Sequence, residues 1–254
     1  MNTMNTANPA GTLPKTAPGG LSALGLKLLA MALMLCDHLW AALPAAPDLL
    51  THIGRIAFPI FAFQIAEGFA RTHDRKRYLL RMLAFAALSE VPFDLFYGGT
   101  VFYPFHQNVM FTLLLGLLAC CSIDRARRER TAKAIFRGAL SVAGLFLLSL
   151  IGMVDYGWKG VATVVAFYLL RDFPLAWLAQ IAALVLLNIV LFKGQTIPLL
   201  GWDFPTQGFA VLALLPIWLY NGRRGGGSKT LQYAFYAFYP VHMLILYLLF
   251  SLLR

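Results

Sequence analysis

The sequence predicts an all-α, polytopic membrane protein of about nine transmembrane helices (eight to ten), with its N-terminus in the cytoplasm. Three observations predict this. First, 59% of the 254 residues are hydrophobic and only 13% are charged, where a soluble domain carries about 25% charged residues; the mean hydropathy is +0.70. Second, nearly charge-free runs of bilayer-spanning length recur from Leu24 onward. Third, Lys and Arg are sorted between alternate loops. Lys15, Arg71, Arg75, Lys76, Arg77, the arginines of 125–137 with Lys133, Arg171, Arg223, Arg224 and Lys229 fall in one set, against Lys159, Lys193 and Arg254 in the other. That bias places the first set in the cytoplasm. The net charge of +10 is therefore a topology signal, and no nucleic-acid partner is implied. The alternating pattern of a membrane β-barrel is absent.

Residues 1–20 are rich in Asn, Thr, Ala, Pro and Gly, which predicts a disordered cytoplasmic tail rather than a signal peptide. Residues 21–254 form a single transmembrane domain. The first span covers about 24–43 and stops at Pro44. The second covers about 53–70, with Pro59 as a candidate kink. After the basic loop 71–77, the third covers about 78–97 and the fourth about 108–122. The stretch IDRARRERTAKAIFR is the most basic loop. The fifth span covers about 138–154 and the sixth about 160–171, short for a full crossing. The seventh covers about 174–192, the eighth about 206–220, after the outer loop KGQTIPLLGWDFPTQ, and the ninth about 233–252. Losing the sixth span would invert everything downstream and send RRGGGSK outward, against the charge rule. No internal repeat is visible, which argues against an inverted-repeat transporter.

Ionisable groups inside such runs are costly and mark a functional interior. Lys27 and His38 are eleven residues apart on one helix, which sets them about 20° apart around it and roughly 16 Å apart along it. They share a face at two depths. A cation at the inner mouth can hold phosphate, and a deep imidazole can act as a base near neutral pH. The bland alternative is a snorkelling lysine and a satisfied bundle histidine. Asp37, rotated by about 100° from His38, is placed to pair with Arg55 at similar depth, since a lone buried charge would be expensive. Glu90 and Asp94, four apart on the third span, share a face near the depth of His38. They either orient a basic acceptor or fasten helices together. Glu67 and Arg81 either pair with each other or bind an anion. Arg77 and Arg81, one turn apart, form a phosphate grip, with a plain topology charge as the alternative for Arg77. His242 is a second intramembrane histidine and a candidate ligand contact. His52 and His73 read as solvated loop residues. Asn108 reads as a helix cap. Cys36, Cys120 and Cys121 lack metal-site spacing, and no metal is expected.

The segments LKLLAMALMLCDH, GRIAFPIFAFQIAEGF, RYLLRMLAFAALSEVPFDL, NVMFTLLLGLL, DYGWKGV and YPVHMLIL resemble the TraX family. That resemblance implies a multi-pass protein of the bacterial inner membrane, in a family whose founding member N-acetylates the N-terminus of a conjugative pilin subunit. A second, shorter likeness is to the family-three membrane acyltransferases. These carry a basic residue, ten residues and an essential His in the first helix, as Lys27 and His38 do here. They also carry paired arginines near the third helix, echoed by Arg77 and Arg81, and a C-terminal Tyr–x–x–His, echoed by Tyr239 and His242. The two likenesses together imply an acetyltransferase that takes acetyl-CoA from the cytoplasm. Lys27, Arg77, Arg81, Glu67, His242 and Tyr239 would bind the donor. His38, Asp37, Arg55, Glu90 and Asp94 would serve the reaction, with His38 as base or acyl carrier. The implied partners are the lipid bilayer, acyl-CoA and a pilin-like protein or another acceptor. The competing reading is a proton-coupled transporter with the intramembrane acids and histidines as a proton relay.

Overall fold

A computed structural model describes residues 20–192, 194–199 and 201–252. Lys15 and most of the tail expected to be disordered, Lys193 and Arg254 lie outside these residues. The described chain is helical almost throughout. Helix α1 is Ala23–Ala42, α2 is Leu49–Gly54, α3 is Ala57–Arg71, α4 is Arg75–Gly98, α5 is Val109–Glu129, α6 is Ala132–Ile151 and α7 is Gly157–Leu170. Helix α8, Ala176–Val185, runs on as a π turn, Leu186–Val190. An antiparallel hairpin of β1 (Thr196–Leu199) and β2 (Trp202–Pro205) follows, with Thr196 opposite Pro205. A 3₁₀ segment, Thr206–Ala213, leads into the short α9, Leu214–Trp218, and α10 is Lys229–Leu252.

Nine helical rods therefore stand among the described residues where nine spans are expected, but they are not nine equal crossings. Four segments are long and apolar enough to cross a bilayer: Ala23–Ala42, Leu49–Arg71, Val109–Glu129 and Ala132–Ile151. Helix α7 has 14 residues, about 21 Å at 1.5 Å per residue, which is short of a hydrocarbon core about 30 Å thick. The rods before and after the hairpin are broken by π and 3₁₀ turns.

Three local expectations change. The second span is interrupted at Arg55 and Ile56, between α2 and α3, and not at Pro59. Pro59 falls in the first turn of α3, where its missing N–H would have had no intrahelical partner. The basic stretch 123–137 is not a loop. Helix α5 continues to Glu129, α6 starts at Ala132, and only Arg130, with φ 52°, and the N-cap Thr131 intervene. Arg, Ala, Glu and Lys are good helix formers. Ion pairs Arg128–Asp124 at 2.8 Å and Arg125–Glu129 at 2.9 Å, each four apart, support the extended helix end. The outer loop near residue 200 is a hairpin rather than irregular chain.

Helix α3 is the hub. It buries Ala57, Phe58, Pro59, Ile60, Ala62, Ile65, Ala66 and Phe69 and touches α1, α5, α7, α9 and the 3₁₀ segment. Helix α6 lies at the periphery and turns Ile135, Phe136, Leu140, Leu147 and Ile151 outward. A helix apolar all round suits a hydrocarbon boundary, and no polar face is required there. Helices α1, α4 and α10 close the opposite flank, with α10 packed on α4 and α1.

Phe69, 1% exposed, and Phe136, 68% exposed, should therefore respond differently to truncation. Phe69→Ala should lower stability by about 3–5 kcal/mol, the cost of a large buried aromatic, whereas Phe136→Ala should leave it nearly unchanged. Thermal unfolding of the detergent-solubilised variants measures both.

Candidate active site: a basic cavity and a buried histidine pair

The segments leading into the first and last helices meet at the basic end of the molecule. Ser22 caps α1, its Oγ accepting from the Gly25 N–H at 3.1 Å. Residues 21–24 then lie along 219–224. Leu21 N–H donates to Leu219 at 2.7 Å, Ala23 N–H to Arg223 at 2.9 Å and Leu24 N–H to Arg224 at 3.2 Å, and Leu21 accepts from Asn221 at 2.9 Å. First-turn N–H groups that a helix cannot satisfy itself are thus met by the facing segment. Gly222, Gly225, Gly226 and Gly227 all have positive φ there, a conformation that glycine adopts without steric cost.

Under this strap lies a cavity of about 610 Å³ lined by Lys27, Arg71, Arg81, Arg224, His73, Gln64 and Glu67, with Phe235 and Tyr236 on the α10 side. Lys27 Nζ stands 5.0 Å from the centre of the Phe235 ring. Glu67 is not paired with Arg81. It accepts from Arg71 Nε at 2.5 Å and Arg171 Nε at 2.9 Å, and Arg71 also donates to the Gly222 carbonyl at 2.6 Å. Arg81 Nε is buried with no hydrogen-bond partner among the described residues. Arg77 does not line the cavity. Its side chain is 76% exposed and bonds Asp74 at 3.1 Å, because Asp74 caps α4 by accepting from the Arg77 N–H at 2.8 Å and draws the guanidinium outward. His73 is exposed in the turn between α3 and α4, as expected, and also borders the cavity.

The opposite end of the same helix pair holds two histidines. His38 and His242 are 8% and 6% exposed. Their rings are nearly parallel, with centroids 4.9 Å apart, and His38 Nδ1 is 2.6 Å from His242 Nε2. His242 Nδ1 is 2.7 Å from the Phe238 carbonyl. Phe96 and Tyr239 pack against His38 at centroid distances of 5.8 and 6.3 Å. His242 and Tyr239 are thus companions of His38, not part of the basic cavity where donor binding would place them. Lys27 and His38 both face α10, as their shared helix face implies, but they do not line one cavity among the described residues: the basic cavity reaches Phe235 and Tyr236, and Tyr239 packs against His38 in the next turn.

Beside the pair, Asp37 Oδ1 accepts from Thr51 Oγ1 at 2.7 Å and Arg55 Nη2 at 2.9 Å. This links α1 to α2. A Cβ on Gly54 would lie 2.9 Å from Asp37 Cα, so only glycine permits the approach. Tyr97, Tyr156 and Asp155 stand near Arg55. Glu90 accepts from the side chain and backbone of Asn108 through Oε2, and Asp94 Oδ2 accepts from Tyr103 N–H at 2.9 Å. These acids pin the segment after α4, yet Glu90 Oε1 and Asp94 Oδ1 are buried without a donor among the described residues. Asn108 caps α5, accepting from Met110 N–H at 2.9 Å. His52 is not solvated but stacks on Phe209 at 4.9 Å.

Thr51, Arg71, Arg224 and Gln64 were not anticipated as site residues. Thr51 had a signal, lying one turn before Arg55. Arg224 had none, because its place depends on the strap folding back over α1.

The family model described as TraX protein matches residues 22–250. The chain belongs to the TraX family. A probable fimbrial assembly protein, FimC of serogroup H1 from Dichelobacter nodosus, is 31% identical to this TraX chain over 249 residues, which cover 89% of the chain and 94% of the relative. No solved structure matches it. The family match spans both the basic cavity and the histidine pair. TraX membership and the four apolar helices agree on a membrane protein.

Outside the apolar spans, His106 Nε2 lies 3.5 Å from Asp155 Oδ1, and hydrogen bonding to that carboxylate pushes the imidazole's pKa up. A raised folded-state pKa stabilises fully below the unfolded value near 6.5 and is lost as pH rises through the folded value. Thermal stability of this TraX protein should therefore fall as pH rises above about 6.5, and His106→Gln should flatten that slope. Melting curves across pH test it. Arg55→Ala leaves a partly buried carboxylate with only Thr51 as donor and should cost about 1–3 kcal/mol, with the double variant Asp37→Asn/Arg55→Ala less damaged. Chemical unfolding of the two variants compares them.

Proposed function

We propose that this TraX protein is an integral-membrane acyltransferase, an acetyltransferase using acetyl-CoA, that acylates an amine or hydroxyl on a pilin-like acceptor. The supporting observation is the pairing of two sites along one helix seam. A cavity with Lys27, Arg71, Arg81 and Arg224 stands at one end, and a buried imidazole pair at the other. Four cations against the single Glu67, itself held by two arginines, leave an excess of positive charge. The unpartnered Arg81 Nε calls for an acceptor such as a phosphate oxygen. The name of the Dichelobacter nodosus relative, with its fimbrial assembly role, favours a pilin-like acceptor.

In this reading the donor's phosphates sit among Lys27, Arg81 and Arg224 at the cytoplasmic face of the inner membrane. Its thioester arm runs along the α1–α10 seam toward His38 after Tyr236 and Tyr239 move aside. The acceptor nitrogen or oxygen attacks the thioester carbonyl. A bond to carbon forms as the C–S bond breaks, the acceptor's proton passes to His38, and from there it goes to the leaving thiolate. His38 serves as general base, worth about 10²–10⁴ in rate. Glu90 Oε1 and Asp94 Oδ1 would accept from the N–H groups of an acceptor amine. Arg55, engaged by Asp37 and Thr51, holds the helix junction beside the base.

Purified protein with labelled acetyl-CoA and a peptide bearing a pilin N-terminus tests the reading. Donor binding with transfer or slow hydrolysis is expected. His38→Ala should abolish turnover and keep donor binding. Lys27→Ala, Arg81→Ala and Arg224→Ala should each weaken donor binding by about tenfold, the scale of one charged hydrogen bond. Arg77→Ala should bind like the parent protein. No CoA binding, or proton-coupled uptake in liposomes without CoA binding, would overturn the reading in favour of a transporter.

A further inference from the structure

We infer that His242 is a positioning residue that fixes the tautomer of His38 and leaves Nε2 of His38 as the bare nitrogen of the site. What that nitrogen does rests on the acyl-transfer reading. The tautomer itself does not.

The argument starts from an atom that cannot donate. The Phe238 carbonyl is 2.7 Å from His242 Nδ1. A carbonyl only accepts, so Nδ1 of His242 carries the hydrogen. A neutral imidazole has one N–H, so Nε2 of His242 presents a lone pair. That nitrogen is 2.6 Å from Nδ1 of His38, and such a separation needs one hydrogen between the two nitrogens. The hydrogen therefore belongs to Nδ1 of His38. Its Nε2 is then left with a lone pair and makes no hydrogen bond among the described residues. The order runs from backbone carbonyl to His242 to His38, and each step forces the next.

The other neighbours offer no rival orienter. Asp37 precedes His38 in the chain but is held on another face by Thr51 and Arg55. Phe96 has no polar atom, and Tyr239 contacts His38 through its ring. A neutral partner also suits the surroundings. A carboxylate orienter would bring a charge into a low-dielectric interior at a cost that two uncharged rings avoid. Anchoring on a main-chain carbonyl means that the relay needs no further side chain to set its polarity. When His38 takes the acceptor's proton on Nε2, its Nδ1–H remains directed at the lone pair of His242, which stabilises the imidazolium until the thiolate collects the proton. This is the division of labour that any orienting group performs for a catalytic imidazole: it selects which nitrogen is the base.

The test uses full-length protein labelled with ¹⁵N-histidine in nanodiscs. Five histidines are present, and variants at position 38 assign its signals. The expected result is a protonated Nδ1 and an unprotonated Nε2 on His38 in the parent protein. His242→Gln should preserve that pattern, because its amide oxygen can accept from Nδ1 of His38 while its NH₂ donates to the Phe238 carbonyl. His242→Leu should release the ring to the Nε2–H tautomer. In the transfer assay His242→Leu should lower kcat by about 100-fold, the scale of losing a correctly presented general base. Its KM for the acyl donor should be unchanged, and His242→Gln should restore most of the rate. A wild-type His38 protonated on Nε2, or a His242→Leu variant that raises the donor KM with kcat intact, would overturn the inference. If the expected tautomer is found in a protein that transfers no acyl group, the proposed reaction fails and the positioning role stands.

Discussion

The structure depends on one seam, where the first and last helices of the described chain run side by side. Both ends of that seam are fastened by hydrogen bonds that only this alignment allows. At the basic end, the segment before α1 is tied to the segment before α10 through main-chain bonds between residues 21–24 and 219–224. At the other end, His38 on α1 meets His242 on α10. Lys27 over Phe235 marks the same face between them. Slide α10 by one turn, about 5.4 Å, and the imidazoles separate while the strap loses its register. The basic cavity and the histidine pair are thus fixed relative to one another by backbone geometry as well as by side-chain packing.

Charge placement follows the same economy. A polar group in an apolar interior must find a partner or be of use to a ligand. Asp37, Thr51 and Arg55 satisfy one another and staple α1 to α2 where Gly54 allows contact. Glu67 gathers Arg71 and Arg171, and Arg71 reaches on to the glycine loop. Among the described residues six buried side-chain atoms are left without a partner: Arg81 Nε and Gln64 Oε1 at the basic cavity, Ser89 Oγ, Glu90 Oε1 and Asp94 Oδ1 on α4, and Gln207 Oε1. The charged groups among them differ in sign, and the proposed reaction between an anionic donor and a basic acceptor would use both.

Much of this was legible in the sequence, and the failures share a cause. Helical period and hydropathy located every rod, since an apolar run of bilayer length has few other ways to satisfy its backbone. The spacing of Lys27 and His38 put both on the face that meets α10. The Asp37–Arg55 contact followed from the cost of leaving either charge alone. Errors arose where local chemistry was polar. The 123–137 stretch read as a loop because it is charged, yet its residues are strong helix formers and its charges pair along the helix. Arg77 read as a phosphate ligand because it is one turn from Arg81, and the sequence could not show that Asp74 would claim it. His242 was visible as an intramembrane histidine, but its distance from His38 in the chain, 204 residues, hid their pairing. Contacts of that separation depend on the packing of the whole bundle, which no local pattern encodes.

Under the proposed acyl transfer, a filled stretch between cavity and histidines would serve better than an open tunnel. A thioester held in a water-filled channel beside a base is exposed to hydrolysis, and excluding water prevents that side reaction. Here Phe235, Tyr236 and Tyr239 fill the seam. They stand on the part of α10 just before Pro240, which lies inside the helix. Proline has no N–H to give to the carbonyl four residues earlier, which is that of Tyr236. The helix is therefore one bond weaker at the residue that walls the cavity. On the acyl-transfer proposal, a donor held by Arg81 and Lys27 would bring binding energy to this weakened turn, and displacing Tyr236 and Tyr239 with it would open the route only when the donor is there to fill it. The aromatic wall and the proline beneath it would then act together, keeping the imidazole pair dry until an acyl group arrives.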